Sequence, residues 1–166
     1  MAVAFVVIPR VACGQTADEY EVKAAFLYNL TKFVEWPRSD SESFSICILG
    51  DDPFGPTINQ LVKGKTVNGK RLEIRRIKEA AEARQCQIVY VRSEEKHKAA
   101  ELLDAVQKMP VLTVTEQSGS GKSSCLVYLS TIDDHISLGI NAAAAESSGL
   151  KISAKLLMLA KTSGEK

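Results

Sequence analysis

The chain of 166 residues carries 21 Lys and Arg against 20 Asp and Glu, a net charge of +1, with 45% hydrophobic and 25% charged residues. That length suits one ordinary domain, and the composition excludes a disordered chain and a polytopic membrane protein. A charge so near zero supplies no positive field for nucleic acid, which is excluded as a partner.

Met1 to Pro9 (MAVAFVVIP) is apolar, and Val11-Ala12-Cys13-Gly14 places small residues ahead of a polar stretch from Gln15. The pattern predicts an export signal over residues 1–14, cut after Gly14, and one folded domain over 15–166. An N-terminal strand or buried tail is the alternative. A lipid anchor on Cys13 is disfavoured, because Arg10 stands where a lipobox needs a large apolar residue.

From Asp18 the chain alternates helical and extended patterns. Asp18 with Glu21 reads as a capping box, and Val22, Phe26, Leu30, Phe33 and Val34 follow at helical spacing, so a first helix should end before Pro37. Phe44 to Leu49 (FSICIL) is a nearly continuous apolar run, the pattern of a strand covered on both faces. Asp52-Pro53 predicts a helix start and Gly64 its stop.

Leu72 to Ile77 alternates like a strand near an edge, and Ile88 to Val91 reads as a central one, with a turn or short helix over 78–84 between them. Ser93 is placed to cap a helix whose stripe is Ala99, Leu102, Leu103 and Val106, and a strand over 111–115 follows Pro110. Leu126 to Leu129 and Ile136 to Ile140 are separated only by a turn containing Asp133-Asp134, which forces antiparallel pairing. Asn141 should cap an Ala-rich helix stopped by Gly149, and Ser153 to Lys161 reads as a last helix. The expected fold class is therefore α/β: a single domain with a mixed, mostly parallel sheet flanked by helices and a C-terminal antiparallel hairpin.

Most chemical motifs fail on context. Gly119-Ser120-Gly121-Lys122-Ser123 resembles the end of a phosphate loop, but Glu116 replaces the first glycine and a strand, not a helix, follows. Asp51-Asp52 is similar to the acidic pair of a receiver domain, yet Val91-Arg92-Ser93 lacks the phosphoacceptor, leaving helix capping for Asp52. His97 sits in a charge run and His135 begins a strand. Two isolated imidazoles make no metal site, and no nucleophile elbow is present. No catalytic residue, metal or cofactor is expected.

The specific signal is one of resemblance. Glu19 to Leu30 (EYEVKAAFLYNL) with Lys32 to Pro37 (KFVEWP) resembles the opening of the YfiR family. In the same order follow Ile46 to Gly55, Cys86 to Val91, Pro110 to Val114, and Gly139-Ile140-Asn141 through Gly149 to Leu157. The resemblance spans roughly Glu19 to Lys161. It implies a non-enzymatic periplasmic regulator, dimeric in its best-studied members. Such a regulator represses an inner-membrane diguanylate cyclase by binding the cyclase's periplasmic sensor domain, and an outer-membrane lipoprotein relieves the repression. The result would be lower cyclic-di-GMP signalling and less biofilm.

Two rival classes stand beside this reading. One is a small-molecule or sensory module with a ligand at the carboxyl ends of the strands, near Gly50 to Phe54. The other is an enzyme whose residues converge only in space. Partner recognition is expected on Tyr128, Ile132, Ile136 and Leu157, since the late hairpin should form the sheet edge, although most of these residues could equally be core. The family pattern also includes a disulfide in the segments of Cys47 and Cys86. A doubly wound strand order would set those segments side by side, within disulfide reach. Cys125 is left as a free thiol, read as a small buried hydrophobe, because Ser118 stands about where a second bond's partner would be. Cys13 departs with the signal, and four reduced core cysteines of a cytosolic protein are the alternative.

Overall fold

The computed structural model describes residues 14–116, 124–133 and 135–162. The expected export signal falls outside these except for Gly14, and the phosphate-loop-like stretch falls outside except for Glu116.

Helix α1 (Gly14–Phe33) leads into a two-residue strand β1 (Val34–Glu35) just before Pro37. Nothing in Gln15-Thr16-Ala17 stops a helix, so α1 starts earlier than expected and Asp18 lies inside it rather than at its cap. The buried face is also rotated from the expected one. Lys23, Ala24, Leu27, Leu30 and Thr31 face inward, whereas Val22 is exposed and Phe26 and Phe33 lie at the margin. A lysine in the middle of the buried face hides that face from an apolar count.

The strands that follow are β2 (Ser43–Leu49), β3 (Thr66–Val67), β4 (Lys70–Ile77), β5 (Ile88–Val91), β6 (Leu112–Glu116), β7 (Val127–Ile132) and β8 (His135–Ile140), then β9 (Lys151–Ile152) and β10 (Lys161–Thr162). Among the described residues, eight of them form one sheet in the order β10-β8-β7-β6-β5-β2-β4-β3, and β1 pairs with β9 in a separate two-stranded sheet. Strands β4, β2, β5, β6 and β7 run parallel. The chain returns antiparallel through β8, and β10 then pairs parallel with β8. β10 pairs with β8 only at Gly139 and Ile140, so it covers one end of the late hairpin's outer side, and among the described residues His135 to Leu138 keep the edge position that was expected. Likewise β3 pairs with β4 only at Lys70 and Arg71.

The central strands have both faces buried, as their apolar runs require, and period-two alternation sorts their side chains. Phe44, Ile46, Ile48, Ile88 and Tyr90 join one core with α1, α2 (Pro56–Val62), α4 (Ala142–Ser147) and α5 (Ala154–Leu159). Cys47, Leu49, Val89 and Val91 face the other core, under a 3₁₀ turn (Ala80–Gln85) and α3 (Lys96–Ala105). Each fully buried Ile or Leu contributes about 1.5–3 kcal/mol.

Several boundaries are set by local chemistry other than the expected caps. α2 begins at Pro56 with Gly55 at its cap, because Asp52 caps the turn before it by accepting from Phe54 N at 2.8 Å and Gly55 N at 3.2 Å. α3 begins at Lys96 after Glu95, so Ser93 caps nothing there. Asn141 does cap α4, accepting from Ala144 N at 3.1 Å, and Ser153 caps α5. Gly64 and Gly149 follow their helices with φ of 71° and 82°, a region glycine enters without strain.

Cys47 and Cys86 are joined by a disulfide across 39 residues, with Cα atoms 6.1 Å apart. The pairing of β2 with β5 brings their segments together, and Gln87 N donates to Ser45 O at 3.1 Å beside the bond. Cys125 is buried, as a small hydrophobe would be.

Candidate functional site

An apolar groove of about 570 Å³ opens between α1, the β7–β8 hairpin and α5. Phe26, Asn29, Leu30 and Phe33 of α1 form one wall. The hairpin forms the other through Ile132, Asp133, His135, Ile136, Ser137 and Leu138, and Leu156 and Leu159 of α5 complete the lining. Ile132 pairs with His135 across a two-residue turn, in which Asp133 takes φ of 48°, the left-handed geometry such hairpins favour. Asp134 lies outside the described residues.

The groove carries large apolar groups left in solvent. Ile132 is 48% exposed and Leu159 69%, and Met158 next to Leu159 is 85% exposed. Single exposed hydrophobes are ordinary, but Ile132 and Leu159 share one concave apolar surface, which marks a candidate interaction site.

The four residues expected to meet a partner divide. Ile132 and Ile136 line the groove together. Leu157 turns instead against the main core, and its helical neighbours Leu156 and Leu159 reach the groove. Tyr128 is half-buried opposite Gly139 on the paired strand, with its ring where a Cβ of residue 139 would stand. Two of the four thus line the groove, and the other two lie outside its lining.

A buried polar cluster fixes α1, and with it one wall of the groove. Lys23, 4% exposed, lies 2.6 Å from Glu19 and 3.1 Å from Glu116 at the end of β6. Tyr90 donates its hydroxyl to Glu116, and Thr131, next to Ile132, donates to Glu19 at 2.7 Å. The hydrogen bond from Lys23, then that from Thr131, holds the Glu19 carboxyl below its ordinary value. Burial alone would lower Lys23, but Glu19 and Glu116 outweigh it and hold the ammonium above its usual value. Burial first, then Glu116, pushes the Tyr90 phenol well up, so it stays a donor. Sequence reasoning missed this cluster, since its members are far apart in the chain.

The crevice expected near Gly50 to Phe54 lies where β2 and β5 are neighbours and their connections diverge. The protein's own side chains occupy it. Phe54 packs edge-on between Tyr20 and Tyr90, with centroids 5.7 and 4.8 Å away. The Glu95 carboxylate rests where a Cβ on Gly50 would be, and Asp52 pairs with Arg76 at 2.6 Å. Arg92 Nε lies 3.3 Å from Glu94 Oε2, and Glu95 accepts from Lys98 Nζ at 2.8 Å.

His97 is an exposed partner of Glu101 at 3.1 Å, and His135 lines the groove. Among the described residues no group of three or more His, Cys, Asp or Glu side chains could hold a metal ion. Among the same residues no helix is long and apolar enough to cross a membrane.

Comparison with known proteins gives one result. A family model described as YfiR/HmsC-like matches residues 20–161. None of the curated proteins matches the chain.

Proposed function

The chain belongs to the YfiR/HmsC-like family, and we propose that it is a periplasmic negative regulator that binds the sensor domain of a membrane-bound diguanylate cyclase. In this reading it acts by binding and not by catalysis, and it lowers cyclic-di-GMP output and biofilm formation. Residues 1–14 serve as an export signal, and the mature protein works as a homodimer that an outer-membrane lipoprotein can draw away from the cyclase.

The observation that supports this reading best is the open apolar groove with Ile132, Ile136 and Leu159 on its walls. Covering a half-exposed Ile and an exposed Leu with a partner removes apolar surface from water, and Asn29 and Ser137 on the same lining offer polar contacts beside them. Deleting the gene and measuring cellular cyclic-di-GMP tests the function. A rise reversed by the exported protein supports it, and an unchanged level contradicts it.

A further inference from the structure

A second concavity, of about 730 Å³, lies at the opposite end of the sheet, beneath the amino-terminal ends of β2, β5 and β6. We propose that it binds a small planar aromatic monocarboxylate, a role separate from partner binding at the groove.

The volume lies within the range of small-molecule sites, roughly 300–1,000 Å³. One wall is Trp36, packed edge-on against Phe44 at 4.9 Å and held by donation of its Nε1 proton to Gln87 O at 3.1 Å. With that proton committed, the half-buried indole offers a visitor only its fixed apolar ring. Met109 and Pro110 line the cavity as well. A thioether, a proline ring and an indole are surfaces on which a flat aromatic ring packs well.

Charge selects the rest of the ligand. Arg38, Lys70 and Arg84 line the cavity with Glu35 and Asp40, three cations against two anions. Lys70 is taken by Ser39, to whose carbonyl and hydroxyl it donates at 2.6 and 2.8 Å. Arg84 donates Nε to Ala105 O at 3.0 Å, which leaves its terminal amines for a ligand, and Arg38 is exposed. Guanidinium groups match a carboxylate's two oxygens, and an excess of one positive charge suits a monoanion better than a phosphate ester. A cationic ligand would meet the guanidinium groups of Arg38 and Arg84.

Trp36 is the only tryptophan in the chain, so its emission reports this cavity alone. The experiment titrates the purified, oxidised protein with benzoate and with phenylacetate, following tryptophan emission and heat. Benzylamine and cyclohexanecarboxylate serve as controls of charge and planarity. Saturable binding of the aromatic acids is expected, weakened about tenfold in Arg84→Gln or Arg38→Gln, as loss of a charge-assisted hydrogen bond requires. Arg71→Gln, which changes an exposed arginine outside the cavity, should leave the affinity unchanged. No saturable signal at millimolar acid, equal binding of either control, or arginine variants that bind like the parent would overturn the proposal. Because the readout needs no partner protein, its failure leaves the regulatory reading standing, and loss of that reading leaves this one testable.

Discussion

Lys23 on α1 lies 3.1 Å from Glu116 at the end of β6, almost wholly out of water, and also pairs with Glu19 one helical turn away. A buried cation of this kind is a poor source of net stability but is costly to break from one side. Lys23→Ala should therefore destabilise the protein by about 3 kcal/mol, leaving Glu116 buried beside Tyr90 with one partner fewer. Urea unfolding measures it. A loss below about 1 kcal/mol would mean that the cluster does not hold α1 to the sheet.

The same cluster predicts opposite behaviour at the two ends of the pH range. Glu19 is held below its ordinary 4.5, so its contribution is complete above that value and is lost as pH falls through its folded pKa. Lys23 is held above its ordinary 10.5, so its contribution is complete below that value and is lost as pH rises through its folded pKa. Glu19→Gln should flatten the acid limb of the stability profile and leave the neutral region nearly level. An acid limb as steep as the parent's would remove Glu19 from the account.

The disulfide closes a separation of 39 residues, for which chain entropy gives about 4 kcal/mol. Replacing both Cys47 and Cys86 with Ala should lower stability by about that amount. In peptide mapping without reductant, Cys125 alone of Cys47, Cys86 and Cys125 should be alkylated after unfolding. Recovery of alkylated Cys47 and Cys86 from the exported protein would contradict the bond.

Gly139 gives its space to the ring of Tyr128 on the neighbouring strand. Gly139→Ala should cost about 2 kcal/mol, as overpacking does, and adding Tyr128→Ala should restore part of the loss. Purely additive effects in the double-mutant cycle would show that the two residues do not share that space.

The sequence reveals those elements in which one physical signal dominates. The run 88–91 is apolar throughout and the run 44–49 is broken only by Ser45, because each strand is covered on both faces, and the cap at Asn141 and the stop at Gly149 need only local chemistry. β1, β9 and β10 have two residues each, too few for any period. The face of α1 was misread because its buried centre includes Lys23, whose partner Glu116 lies on a remote strand. In the candidate site, Ile132 and Ile136 were legible as apolar residues flanking a turn. The choice of Leu156 and Leu159 over Leu157 was not, since all three fit an apolar helix whose orientation is set by tertiary packing.

The most direct test of the central claim combines cellular cyclic-di-GMP with co-purification of the membrane diguanylate cyclase, using Ile132→Asp and Leu159→Asp in the exported protein. Ile132 is half-exposed and Leu159 largely exposed, so both variants should fold, with melting temperatures near the parent's. The account predicts that the parent lowers cyclic-di-GMP and retains the cyclase, whereas each variant stays folded, loses the cyclase and leaves cyclic-di-GMP high. Folded variants that repress and retain the cyclase as well as the parent would contradict it.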